Sequence, residues 1–139
     1  MIVDASIIID AVADPGPRGV AARSALAAAP ATEPLTAPGH CAFEVMSGLL
    51  AAANRPDHPL APSDVAQALR SAESLEILIE ATPWVDVHRA WTLSRAWIRY
   101  ADAIYVASAE RHRTGLLTAD ARIERSGAPM RCEIFTVTP

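Results

Sequence analysis

Short apolar or extended runs alternate with segments of helical spacing along this chain, and that alternation limits the possible folds more than any other feature. The runs lie at residues 2–5, 34–38, 75–80, 116–118 and 133–137. Strands that alternate with helices pair in parallel, because each connection must return across the sheet before the next strand begins. The sequence therefore predicts an α/β fold, a three-layer α/β/α sandwich with a mainly parallel central sheet.

Helices are predicted where apolar residues recur every three or four positions and where proline, glycine or polar residues mark the ends. One or two helical turns are expected after the first run and again at 120–125. Longer helices are predicted at residues 18–29, 40–54, 63–74, 85–97 and 101–113.

Length and composition indicate one compact unit. With 139 residues, 51% of them hydrophobic, a single domain over residues 1–139 is expected. Cys41 and Cys132 are far apart and lack metal-ligand spacing, so free thiols are predicted. The first ten residues contain Asp4 and Asp10 and have no basic start, unlike a secretory signal. No uncharged run reaches the roughly 18 residues of a membrane span, so the protein is expected in the cytoplasm.

The charged residues exclude several classes of function. A formal net charge of -4 argues against a protein that holds nucleic acid by bulk positive charge. An acidic nuclease would instead need divalent cations to bring phosphate to its carboxylates. All 12 basic residues are arginine, and the absence of lysine excludes P-loop NTPases and Schiff-base enzymes, which need a lysine amine.

Acidic residues stand where the predicted strands end. Asp4 follows the first strand, and Asp120 comes two residues after the strand at 116–118. Ligands of open α/β sheets bind at this carboxyl edge, so both carboxylates are expected in one crevice. Asp102, at the start of a predicted helix, can reach the same crevice, and Glu44 can join from the helix at 40–54.

Each of these acids also has a purely structural explanation. The aspartates stand beside predicted helix starts and can be N-caps. Glu44 can be a solvated helix residue, although Ser47, Gly48 and Ala51 share its face and are small enough for another element to approach closely. Asp4 is the leading candidate, because a carboxylate inside the apolar run MIVDASIIID is costly to bury without a cation or hydrogen-bond donors.

Several carboxylates at one site suit a hard divalent cation. Mg²⁺ and Mn²⁺ prefer oxygen ligands and keep part of their bound water, which the metal activates for in-line attack on a phosphodiester. Ser6 and Thr118 lie two residues from Asp4 and Asp120, and their hydroxyls can orient a carboxylate or a water. Local capping explains both hydroxyls equally well. The predicted chemistry is metal-dependent hydrolysis without a protein nucleophile.

Four segments carry a resemblance to a known family. VDAS at 3–6, Glu44 after PGHCAF, YADAIYVASAE at 100–110 and LLTAD at 116–120 resemble PIN domains, specifically VapC-type toxins, in content and order. The resemblance covers nearly the whole chain. It implies a Mg²⁺- or Mn²⁺-dependent endoribonuclease that acts on structured RNA such as transfer or ribosomal RNA.

The resemblance also assigns residues and partners. The family's acidic quartet maps onto Asp4, Glu44, Asp102 and Asp120, and its supporting hydroxyls map onto Ser6 and Thr118. Many relatives carry a further acid two residues after the last aspartate, where this chain has Arg122, which argues against a well-occupied second metal position. The implied partners are RNA, a VapB-type antitoxin and a second copy of the chain as a homodimer. An apolar strip for the antitoxin is expected on the first two helices, at Ile7, Ile8, Val12, Val20 and Leu26.

Other features have mainly structural explanations. The tryptophans at 84, 91 and 97 are expected in the core rather than stacked on bases. The arginines at 89, 95, 99, 111 and 113 can contact phosphates, with solvation as the default, and the four histidines show no metal-binding spacing. Two alternatives to an enzyme remain: a catalytically silent PIN-like interaction module, and a magnesium-binding receiver-like phosphate switch, which the missing lysine disfavours.

Overall fold

Five short strands form one sheet in the computed structural model, which describes residues 1–95 and 98–139. Its strands are β1 Ile2–Val3, β2 Thr36–Pro38, β3 Leu78–Glu80, β4 Leu116–Thr118 and β5 Ile134–Thr136. The strand order is β3-β2-β1-β4-β5, and every pairing between neighbours is parallel. The parallel sheet predicted from the alternating pattern is therefore confirmed.

Helices flank this sheet on both faces. In the described part of the chain they are α1 Ala5–Ala13, α2 Pro17–Ala28, α3 Cys41–Ala53, α4 Val65–Glu73, α5 Trp84–Ser94, α6 Tyr100–His112 and α7 Ala121–Arg125. Helix α1 contacts α2, α3 and α4, whereas α5 packs against α6, and α6 contacts β1, β2 and β4. This is the predicted α/β sandwich. Among the described residues, none of the helices combines the length and the apolar character that crossing a membrane requires.

Some element boundaries differ from the sequence prediction. Helix α1 has nine residues rather than one or two turns, because Ile7 and Ile8 give it a face that is buried in the core. The predicted strand at 75–80 begins only at Leu78, since Glu76 adopts a left-handed φ of 55° just before it. The predicted end of the helix at 85–97 lies outside the described residues.

Helix α6 lies in the centre of the core, and buried ion pairs attach α5 to it. Arg89 of α5 donates to both carboxylate oxygens of Glu110 on α6, at 2.7 and 2.9 Å. Arg111 of α6 donates in turn to Asp86 of α5, whose side chain is only 3% exposed. The expectation that Arg89 and Arg111 are merely solvated is therefore wrong, because each compensates a carboxylate between two packed helices.

Helix α5 also corrects the expectation for the tryptophans. Trp84 is 78% exposed and Trp91 is 61% exposed, so neither belongs to the core, and Trp97 lies outside the described residues. The buried side of α5 is instead formed by Asp86, Ala90 and Leu93. A small alanine and a paired aspartate let α5 approach α6 closely, which two indole rings would prevent.

The apolar strip expected on the first two helices is mostly absent from the surface. Ile7 and Ile8 are buried, Val12 and Leu26 are half-buried, and only Val20 is well exposed. Helix α3, by contrast, exposes three apolar side chains, those of Phe43, Met46 and Leu50. The first two helices contribute these residues to the core because α1 lies between α2, α3 and the sheet.

Candidate active site

The carboxyl ends of β1 and β4 meet where the order of the sheet reverses. Strands β2 and β3 lie on one side of β1, and β4 and β5 lie on the other. Connections leave such adjacent strand ends in opposite directions and open a crevice between them. Here the crevice is a cavity of about 510 Å³, and its lining includes all four acids singled out from the sequence, Asp4, Glu44, Asp102 and Asp120.

Asp4 lies at the base of this cavity and is only 7% exposed. Its carboxylate is the N-cap of α1, and its Oδ2 accepts hydrogen bonds from the hydroxyls of Ser6, at 2.9 Å, and Thr118. Burial raises the pKa of Asp4 above its ordinary value, although these hydrogen bonds oppose the shift. Asp4 is thus both a helix cap and a cavity residue, and its negative charge is costly where it stands.

The same two hydroxyls join the start of α1 to the end of β4. Thr118 Oγ1 accepts the backbone N–H of Asp120 at 3.0 Å, and Ser6 Oγ accepts the backbone N–H of Ala119 at 3.0 Å. The structure therefore places Ser6 and Thr118 in contact with the Asp4 carboxylate and with the chain that leads to Asp120. Local capping alone does not account for these contacts across the sheet.

Asp102 and Asp120 are each paired with an arginine. Arg99 donates to both oxygens of Asp102, at 2.8 and 3.1 Å, and its Nη2 lies 3.7 Å from Asp120 Oδ2. Arg122 donates to both oxygens of Asp120 through its side chain, while its backbone N–H is capped by Asp120 Oδ1 at 2.9 Å. Hydrogen bonding to Arg122 lowers the pKa of Asp120, so this carboxylate is ionised. Asp102 does not cap α6, because that helix begins at Tyr100.

Glu44 reaches the cavity from α3 and is held by a buried phenol. Tyr105 of α6, which is fully buried, donates from its hydroxyl to Glu44 Oε2 at 2.7 Å. The His40 ring packs against Tyr105 with 4.7 Å between centroids, and its Nε2 lies 3.5 Å from the same Glu44 oxygen. Within the described residues, this buried Nε2 has no hydrogen-bond partner.

A divalent cation fits the chemistry of these donors. The four side chains offer hard carboxylate oxygens, and Asp4 is a buried carboxylate with an unfavourable charge that a cation would relieve. Across residues 1–95 and 98–139, however, no three acidic, histidine or cysteine side chains stand close enough together to hold a metal ion. In this arrangement the carboxylates of Asp102 and Asp120 face guanidinium groups.

Arg99, Tyr105 and His40 contribute to the site but were not assigned to it from the sequence. Arg99 and Tyr105 stand three residues before and after Asp102, which places all three on one side of the same helical region. This spacing from Asp102 is the sequence signal from which Arg99 and Tyr105 can be predicted as neighbours of the site. His40 precedes Glu44 by four residues, a spacing that places both on one face of α3, but the histidines lack metal-ligand spacing and so give no signal of a site.

Solved structures of toxin-antitoxin proteins share this fold. A toxin-antitoxin complex from Klebsiella pneumoniae has 24% sequence identity and a TM-score of 0.68, over 97% of this chain and 95% of that one. VapC20 of Mycobacterium tuberculosis, a sarcin-ricin loop cleaving toxin, has 17% identity and a TM-score of 0.64, over 91% and 95%. VapBC2 of Rickettsia felis, bound to a DNA fragment from its promoter, has 10% identity and a TM-score of 0.70, over 99% and 98%.

Comparison of the sequence with curated proteins gives no match, whereas comparison with family models does. Residues 1–128 match the model of the PIN domain, and this range runs from β1 through α7 and includes all four cavity acids. The chain therefore belongs to the PIN domain family.

Proposed function

We propose that this protein is a metal-dependent endoribonuclease and the toxin of a toxin-antitoxin pair. The observation that carries the proposal is the convergence of Asp4, Glu44, Asp102 and Asp120 on one cavity at the switch point of the sheet. They come from the N-cap of α1, from α3, from α6 and from the N-cap of α7. Four carboxylates brought together from distant parts of a chain repel one another, so the arrangement needs positive charge to be stable.

The proposed reaction is hydrolysis of an RNA phosphodiester by water. Mg²⁺ or Mn²⁺ bound by carboxylates of this cavity would supply an activated water and offset the charge that grows on the phosphate. Thr118 and Ser6 fix the orientation of Asp4 through its Oδ2. Tyr105 fixes Glu44 in the same way through Oε2 and, among the described residues, leaves Oε1 without a hydrogen-bond donor.

The cavity also offers positive charge for the substrate. Arg18, Arg99 and Arg122 line it together with the acids. Their side chains are 58%, 67% and 69% exposed, so they can meet phosphates at the surface. Each of these arginines is paired with an aspartate, so the proposed binding of RNA by a protein with a net charge of -4 would need the bound cation as well as the arginines. A structured RNA is the proposed substrate.

An antitoxin is the proposed protein partner, and the surface that supports it lies on α3 rather than on α1 and α2. Phe43, Met46 and Leu50 form an exposed apolar stripe there. Beside it lies an apolar cavity of about 310 Å³, lined by residues of α1, α3, α4 and β3. An amphipathic segment of a VapB-type antitoxin would bury both features. A homodimer remains part of the proposal through the family resemblance.

Cleavage of RNA by the purified protein tests this proposal. The protein is incubated with total bacterial RNA in Mg²⁺ or Mn²⁺, with a chelator, and with the protein encoded beside it. Discrete fragments are expected with either cation, and none with the chelator or with the neighbouring protein in excess. A catalytically silent interaction module would give no fragments under any of these conditions. Cleavage that persists in the chelator would exclude the metal-dependent mechanism.

A further inference from the structure

The four acids of the cavity have two different kinds of partner. Asp4 and Glu44 accept hydrogen bonds from neutral hydroxyls, those of Ser6, Thr118 and Tyr105. Asp102 and Asp120 are each bound through both oxygens by a guanidinium. Among the described residues, Asp4 and Glu44 therefore have no guanidinium partner, although the imidazole Nε2 of His40 lies 3.5 Å from Glu44 Oε2.

The two guanidiniums lie together on one side of the cavity. Arg99 stands at the start of α6 and Arg122 on α7, and Arg99 reaches toward both Asp102 and Asp120. The two carboxylates and the two guanidiniums balance in charge. A second divalent cation on this side would have to displace an arginine from a paired carboxylate, at the cost of charge-assisted hydrogen bonds.

The geometry of the pairing leaves donors for a ligand. Arg99 and Arg122 contact their carboxylates through Nε and Nη2. Among the described residues, Nη1 of each makes no hydrogen bond, and both side chains are about two-thirds exposed, at 67% and 69%. A planar guanidinium that is held on one edge and free on the other is suited to bind a phosphate oxygen.

We propose that Arg99 and Arg122 take the place of a second divalent cation, so that the site binds a single ion through Asp4 and Glu44 and the arginines bind the phosphate. The inference rests on the proposed function. A guanidinium supplies fixed positive charge to a phosphoryl group, as a cation does, and it is already in position before the substrate arrives. Mg²⁺ is commonly held by one or two carboxylates and water, so Asp4 and Glu44 offer enough protein ligands for one ion.

The number of bound ions tests this inference without RNA. Mn²⁺ binding is measured by isothermal titration calorimetry and by electron paramagnetic resonance for the wild type, Arg122→Lys and the Arg99→Gln/Arg122→Gln double variant. Arg125→Gln is the matched control, because Arg125 is on the same helix but donates only to the Ala121 carbonyl. Circular dichroism melts verify that each variant is folded. Because both arginine side chains are largely exposed, replacing them is expected to leave the fold intact.

The wild type, Arg122→Lys and Arg125→Gln are expected to bind one Mn²⁺ per chain. The double variant is expected to bind two, because Asp102 and Asp120 are then without their guanidinium partners. Two ions in the wild type, or one in the double variant, would overturn the inference and leave the proposed function standing. Absence of Mn²⁺ binding in every protein would overturn both.

Discussion

Tyr105 and Glu44, on different helices and 61 positions apart in the sequence, are joined by a 2.7 Å hydrogen bond from the phenol to Oε2 of the carboxylate. Burial raises the pKa of Tyr105 far above its ordinary value, so the phenol stays protonated and acts as a donor at any working pH. Glu44 itself is half-buried, next to the exposed side chain of Phe43. The orientation of this cavity carboxylate therefore depends on a residue in the core.

Replacing Tyr105 by phenylalanine removes that hydrogen bond while keeping the ring in the core. We expect Mn²⁺ affinity and RNA cleavage to fall by roughly 10- to 100-fold, as is typical when a residue that orients a metal ligand is lost. Stability should fall by only about 1 kcal/mol, the net contribution of one hydrogen bond. Calorimetry and urea unfolding measure the two effects. Unchanged Mn²⁺ affinity would show that Glu44 needs no support from Tyr105.

Gly48 allows α1 to lie close to α3, as the small residues around Glu44 led us to expect. A Cβ at this position would stand 2.3 Å from Cδ1 of Ile9 and 3.3 Å from its Cγ1. Ile9 also lines the acidic cavity, so its position affects the site directly. Alanine at Gly48 must therefore push the Ile9 side chain away or separate the two helices.

A double-mutant cycle on Gly48 and Ile9 measures this contact. Gly48→Ala alone should destabilise the protein by about 1 kcal/mol, because overpacking outweighs the gain in helix propensity. Ile9→Val alone should cost roughly 0.5–1.5 kcal/mol, but it removes the clashing Cδ1 and should cost less in the Gly48→Ala background. Urea unfolding of the four proteins gives the coupling energy. Simple additivity would show that the two side chains do not meet.

The carboxylate of Glu110 should make the free energy of unfolding depend on pH in the acidic range. Burial acts to raise the pKa of Glu110, but the hydrogen bonds from Arg89 and from the backbone N–H of Arg131 outweigh it and hold the pKa below its ordinary value. A carboxylate with a lowered pKa in the folded state stabilises the protein above its unfolded pKa of about 4.3. This contribution is lost as the pH falls through the lower pKa of the folded state.

Glu110→Gln tests that pH dependence. At pH 7 the variant should be less stable than the wild type by about 1–3 kcal/mol, because Arg89 is left partly buried without a counter-charge. The difference should shrink as the pH falls below about 4.3. Glu73→Gln is the control, since the Glu73 side chain makes no hydrogen bond within the described residues. A constant difference from pH 7 to pH 3 would contradict this account.

The charge of Asp4 is expected to serve activity while lowering the stability of the fold. Its raised pKa means that folding disfavours the charged form, so removing the charge should not weaken the fold. In Asp4→Asn, the amide oxygen can still accept the hydroxyl hydrogen bonds of Ser6 and Thr118 at the Oδ2 position. The amide nitrogen then takes the Oδ1 position, and only the 3.3 Å cap hydrogen bond from the Ser6 backbone N–H is lost. We therefore predict that the variant unfolds in urea at a concentration equal to or higher than the wild type while losing activity. A large loss of stability would show that the charge serves folding.

The part of the site nearest the sheet could be predicted from the sequence. Asp4 and Asp120 follow apolar strands directly, and the rule for parallel sheets places such residues at one edge. The assignment of Glu44 to the site depends mainly on family resemblance. Helical spacing alone does not predict which residue of another element will contact a glutamate. The hydrogen bond from Tyr105 depends on how α3 and α6 meet, which local sequence does not encode.

The surface was harder to predict than the core. Because large aromatic side chains dominate the buried area of small domains, Trp84 and Trp91 are predicted to lie in the core, yet α5 buries Asp86 and Ala90 instead. The burial of Asp86 depends on its ion pair with Arg111, 25 positions away, so it cannot be inferred from the helix alone. Hydrophobic spacing identifies a helix, but its buried face is decided by the partner it packs against.

Sequencing of new RNA 5′ ends in cells that express the wild type or Asp4→Asn tests the central claim most directly. The claim is that the acidic cavity of this PIN domain cleaves RNA through Asp4 and its neighbouring carboxylates. We predict new 5′ ends at a small set of sites in structured RNA with the wild type, and none of them with the equally expressed and folded Asp4→Asn. Identical cut patterns in the two strains, or no new ends in either, would contradict the claim.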